Sequence, residues 1–168
     1  NSNPAHFPPF RASYAPDAQA HARALARFDQ MSVTSTVWLS SDAAPTLASL
    51  AALALPVNLG GQIQFLGYER QDDLDQVALL TAWRVTAQPQ GPRAIFVHAL
   101  GPEGQIAAQW DGLDVPTEGW RVGDTFVQRV SLSLPADVKP ERYWIQMGMY
   151  DPAKLERLPV LVDGKPVA

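Results

Sequence analysis

Cysteine is absent from all 168 positions, which excludes disulfides, thiolate nucleophiles and thiolate-bound zinc, and leaves the redox compartment undefined. Charge is sparse as well. Asp, Glu, Lys and Arg make up 18% of the chain, with a formal balance of −4. Binding a phosphate backbone needs clustered Lys and Arg that displace counterions. Here acids outnumber bases and the two interleave, so nucleic acid is excluded as a partner, and so is a polybasic membrane-surface patch. Long apolar runs are missing too: the longest, 47–59, is broken by Ser49, Pro56 and Asn58 and falls short of the roughly 20 residues that span a bilayer. Residues 1–10 lack the basic start and apolar centre of a signal peptide. No cofactor motif is present. Gly60-Gly61 fits neither a phosphate-cradling loop nor a dinucleotide fingerprint and reads as a bend before the first strand of the sandwich, and His6, His21 and His98 do not have the spacing of metal ligands.

What the chain does have is proline, 15 of them, and a regular alternation of strand-forming runs with turn residues. Apolar, β-branched and aromatic stretches occupy 62–69, 76–87, 93–100, 105–111, 125–134, 142–150 and 158–162, with a stub at 166–168. Between them lie Asp72-Asp73, Gly91-Pro92, Gly101 to Gly104, Gly119 to Asp124, Pro135 to Pro140, Asp151-Pro152 and Asp163-Gly164. Proline fixes φ, glycine admits positive φ and aspartate bonds its own backbone, so each cluster is a turn with a mechanism. Strands at this spacing with no helix between them predict a mainly β protein, an antiparallel β-sandwich of jelly-roll or immunoglobulin-like type over 56–168. Residues 1–55 read as a small α/β extension. It has a proline-rich linker to Tyr14, a helix over 16–30, a strand over 33–39, and a short helix to about Leu55 led by Pro45 with Leu47, Leu50 and Leu53 as its stripe.

Alternation assigns faces, because successive strand residues point to opposite sides of a sheet. Val77, Leu79, Trp83 and Val85 form a core face, as do Phe126, Val130 and Leu132. On the strand at 142–150, Tyr143, Ile145, Met147 and Met149 face inward, which leaves Trp144, Gln146, Gly148 and Tyr150 together on the other side. Two large aromatics around an amide suit a glycan, whose C–H faces stack on rings while neighbouring polar groups take its hydroxyls. The competing reading is that the N-terminal extension covers this face. Trp110 and Trp120, with Asp111, Asp114, Glu118 and Asp124, surround the segment 111–123. They make either a sugar site or calcium-stiffened loop, or a tryptophan plug with turn-capping acids, and no calcium-loop spacing is met. His98 reads as a structural histidine bonded to backbone, for want of a nucleophile partner, and Asp72, Asp73 and Asp75 as a charged hairpin tip.

The phrases PVNLGGQIQFLGYE (56–69), LLTAWRV (79–85), IFVHALGPEGQIAAQWDG (95–112), GWRVGDTF (119–126), LSLPADVKPERYWIQMGMYD (132–151) and ERLPV (156–160) follow one another in an order that resembles the C-terminal β-sandwich of bacterial membrane glycosyltransferases of the protein O-mannosyltransferase-like class. The resemblance covers about two thirds of the chain and consists largely of turn and core residues, which specify fold better than activity. It implies an extracytoplasmic accessory domain whose partner is the membrane-embedded portion of the same protein, where the catalytic acid lies. It carries no catalytic residue onto this chain. Tyr143-Trp144 and the two methionines depart from the aliphatic run expected at that strand.

The expectation is therefore a non-catalytic module that holds a glycan through Trp144, Tyr150 or Trp120, with Trp110 beside them and Gln146, Asp111 and Asp124 as polar partners. A purely structural or protein-interaction sandwich is the alternative, and a small glycoside hydrolase a distant third. The paired carboxylates of a hydrolase are defined by their separation in space, which a sequence does not fix.

Overall fold

A computed structural model describes residues 36–39, 51–73, 76–134 and 143–167. The fold is mainly β, and the strands beyond residue 56 build two antiparallel sheets packed face to face. A separate antiparallel pair precedes them, β1 (Thr36–Leu39) with β2 (Ala51–Ala54). Then follow β3 (Val57–Leu59), β4 (Ile63–Asp73), β5 (Gln76–Val85), β6 (Ala94–Leu100), β7 (Ile106–Gly112), β8 (Thr125–Ser133), β9 (Trp144–Asp151), β10 (Glu156–Arg157), β11 (Val160–Val162) and β12 (Lys165–Pro166). The larger sheet has the order β12-β11-β3-β4-β5-β8 and the smaller β10-β9-β6-β7. The chain crosses between the layers after β5, β7, β8 and β10.

Every expected strand of the sandwich is present, and the alternation between faces holds. Leu79, Trp83 and Val85 of β5 and Phe126, Val130 and Leu132 of β8 meet Ile95, Val97 and Ala99 of β6 and Met147 and Met149 of β9 in one buried cluster. Burying each such side chain contributes about 1.5–3 kcal/mol. Trp83 is wholly enclosed, tilted against Phe65 at 5.0 Å between ring centres. Its indole N–H donates to Thr81 Oγ1 at 2.9 Å, and that hydroxyl donates to the Gln128 carbonyl, so the one polar atom of the ring is satisfied inside the core.

Two expectations need correction. The segment ending at Leu55 is not helical over 51–54: those residues pair with β1 in register Thr36↔Ala54, and pairing with a neighbour overrides the helix preference of an Ala-Leu run. Leu47 and Leu50, the loop before Tyr14, the helix over 16–30, His6, His21, Asp75 and the turn at 135–140 lie outside the described residues. Gly60-Gly61, in turn, does not precede the first strand of the sandwich but joins β3 to β4. Both glycines have positive φ (60° and 68°), as a tight hairpin requires at its two central positions. Asn58 Oδ1 accepts from Gly61 N–H at 2.9 Å. β3 escapes a pattern search because three residues are too few to show a period.

One end of the sandwich is locked by a buried ion pair. Arg93, just before β6, meets Asp151 at the end of β9, Nη1 to Oδ2 at 3.3 Å. Arg93 Nε and Nη2 also donate to Gln62 Oε1, and its backbone N–H donates to Thr117 Oγ1. The other oxygen of Asp151 accepts from the Ala153 and Lys154 amides. A single guanidinium thus ties together the β3–β4 hairpin, the loop before β8 and the β9–β10 turn.

Candidate functional site

The register of the smaller sheet sets which side chains share its outer face. β6 lies between β9 and β7, with His98 opposite Gln146 on one side and Gln109 on the other. One row along, Phe96 stands between Gly148 and Asp111. Tyr150 pairs with Arg157 of β10 in the next row. Strand alternation carries all of these to the side away from the core.

The Phe96 ring is the floor. It lies over Gly148, and the Arg157 guanidinium carbon sits 4.0 Å above the ring centre, a cation–π stack. Tyr150 leans on the same ring at 6.3 Å and His98 at 5.2 Å. The Tyr150 hydroxyl lies within the electrostatic reach of the Asp111 carboxylate. Burial, and then the interaction with the Asp111 carboxylate, hold the phenol above its ordinary range.

His98 is buried, with 7% of its surface exposed. Burial and then the nearby Arg157 cation push its pKa below the ordinary histidine value, against the opposing pull of Asp111 and the adjoining Gln146 amide. Its Nδ1 is enclosed without a hydrogen-bond partner, so the expected bond to backbone is not made at that atom. In a neutral imidazole one nitrogen donates and the other accepts.

The face is open only in part. Gln146 and Leu100 are completely buried and Trp144 is half-buried, whereas Asp111 and Gln109 are exposed and Tyr150 and Arg157 are half-exposed. β1 approaches β9, the strand whose outer face the covering reading named.

The sequence-predicted site residues divide accordingly. Tyr150, Asp111 and Gln146 come together, with Trp144 one row beyond them. The other three do not join. Trp120 is 2% exposed: its ring packs on Phe126 at 5.3 Å and its N–H donates to the Val115 carbonyl, so it plugs the end of the sandwich. Asp124 is buried and accepts from the Arg121 amide at 2.8 Å, capping the turn into β8. Trp110 points to the inner side of β7 and packs against the core, since it alternates with Asp111. These three are therefore corrected from ligand contacts to structural residues. Phe96, His98 and Arg157 were missed as members of the site, because only the pairing of β6 with β9 and of β9 with β10 brings them beside Tyr150.

Comparison with protein-family models, curated proteins and solved structures finds no match to this chain. Among the described residues, no group of three or more His, Asp or Glu side chains is placed to hold a metal ion, and no helix is long and apolar enough to cross a membrane. His98 has Phe96 and Leu100 along its own strand and Gln109 and Gln146 across it, neighbours without a hydroxyl or thiol. What the cluster offers is recognition: Phe96 is itself buried between Gly148 and Arg157, which leaves the half-exposed Tyr150 ring to stack on, the Asp111 carboxylate and the Gln109 amide to take hydroxyls, and a net charge of zero from Asp111 and Arg157.

Proposed function

We propose that this chain is a non-catalytic accessory module of an extracytoplasmic, membrane-associated glycosyltransferase, and that it recognises a glycan at the open part of the smaller sheet's outer face. The observation that carries the recognition step is the convergence of Tyr150, Asp111 and Arg157 over the Phe96 ring, beside exposed Gln109. Sugar rings stack on aromatic faces, and mixed donors and acceptors at the rim take their hydroxyls. The assignment to a glycosyltransferase rests on the ordered phrases of 56–160, and the membrane-embedded portion of such an enzyme is the partner it implies.

A glycan array probed with the whole chain tests this reading. The chain retains a defined set of oligosaccharides, and Tyr150→Ala loses them while keeping the parent's unfolding midpoint within a few degrees. Retention of nothing by the parent, or equal retention by the variant, overturns it.

A second reading has its own support. Complete burial of Gln146 and Leu100 on this same face favours a structural or protein-interaction surface over the Trp144 half, which leaves the Tyr150 half for the ligand.

A further inference from the structure

We infer that the outer-face site selects uncharged sugars and rejects acidic ones. The inference rests on the glycan reading above and adds the ligand's charge class. Asp111 is the exposed charge of the cluster, whereas the Arg157 cation is half-buried and sits 4.0 Å over the centre of the Phe96 ring. An incoming ligand therefore meets a negative group first. A carboxylate or sulfate approaching Asp111 is repelled, while a neutral ring is not.

Hydrogen-bond chemistry points the same way. An ionised carboxylate only accepts, and Asp111 is exposed beside the Tyr150 phenol. Its lone pairs need donors. Sugar hydroxyls supply them and an acidic group does not. Gln109, opposite His98 in the register and exposed, adds a donor and an acceptor on the same rim. The site is thus built for a ligand that gives and takes hydrogen bonds without bringing charge.

The test takes each oligosaccharide that the chain retains on the array and compares it, by titration calorimetry, with its counterpart oxidised at C6 to the uronic acid. We expect the neutral form to bind at least about tenfold more tightly, and the ratio to shrink below about threefold in Asp111→Asn. An acidic form that binds as well as the neutral one, or a ratio unchanged in Asp111→Asn, overturns the charge selection and leaves glycan recognition standing. Retention of acidic oligosaccharides alone does the same. Failure to retain any oligosaccharide overturns both.

Discussion

Phe96 lies across the backbone of Gly148 so closely that a Cβ at position 148 would fall 2.7 Å from two carbons of its ring. Gly148 is therefore what allows an aromatic floor to lie flat on the outer face, with Arg157 stacked above it. Gly148→Ala forces the ring up and dislodges the guanidinium. Overpacking of this kind costs about 1–3 kcal/mol. Urea unfolding should show that loss in the single variant and recover most of it in Gly148→Ala with Phe96→Leu, whose smaller side chain leaves room for the methyl group. A single variant as stable as the parent would show that the ring does not rest there.

The Arg93–Asp151 pair gives an asymmetric prediction. Removing Asp151 leaves a buried guanidinium without its counter-charge and also uncaps the Ala153 and Lys154 amides, whereas Arg93→Met leaves both amides capped. Breaking a buried pair costs about 3–5 kcal/mol, and loss of a backbone cap adds about 1 kcal/mol. Asp151→Ala should therefore be the more destabilising of the two by chemical denaturation, and the double variant should lose less than the sum of the singles. Full additivity would show that the two side chains act independently.

How much of this was legible in the sequence follows from the range of each signal. Alternation is local, so the core faces of β5, β8 and β9, and the shared side of Trp144, Gln146, Gly148 and Tyr150, could be read directly. The turns could be read because Gly, Pro and Asp announce them. Register is not local. That Asp111 stands opposite Phe96, or that Gly148 and, beyond it, Arg157 come to the same ring, depends on which strands choose each other as partners. Trp120 and Asp124 looked like ligand groups because a loop tryptophan beside carboxylates reads the same whether it faces solvent or seals the end of a sandwich. Ala51–Ala54 misled through composition, since the strand that recruits it lies a dozen residues upstream.

Leu155 and Asp163 are exposed non-glycine residues at positive φ, and Leu155 has no side-chain oxygen to ease that conformation. It sits at φ 60° with 78% of its surface open, held there by its N–H donating to the Asp151 carbonyl at 2.7 Å. The left-handed region costs a branched L-residue about 1–2 kcal/mol, and glycine escapes that cost while gaining freedom in the unfolded chain. Leu155→Gly should raise the unfolding free energy by about 0.5–1 kcal/mol, and Leu155→Val should lower it because β-branching worsens the strain. The reverse order in thermal melts would place this turn in another conformation.

The buried histidine gives the pH dependence. Its folded pKa is held below the ordinary value by burial and by Arg157, so the unfolded chain takes up the proton first as pH falls. The sign follows from linkage: where the unfolded state binds more protons, stability rises with pH. The contribution of His98 is thus complete above its unfolded pKa of about 6.5 and is lost as the pH falls from there through the lower folded value. Tyr150 acts at the other extreme. Its folded pKa is raised, so stability falls as pH climbs past about 10, where the unfolded phenol ionises first. Thermal melts between pH 5 and 8 should show an acid limb that flattens in His98→Gln, which keeps a polar side chain of similar reach but cannot charge. An acid limb of unchanged slope in that variant would assign it to other groups, and would mean that His98 becomes protonated as readily in the folded sandwich as in the unfolded chain.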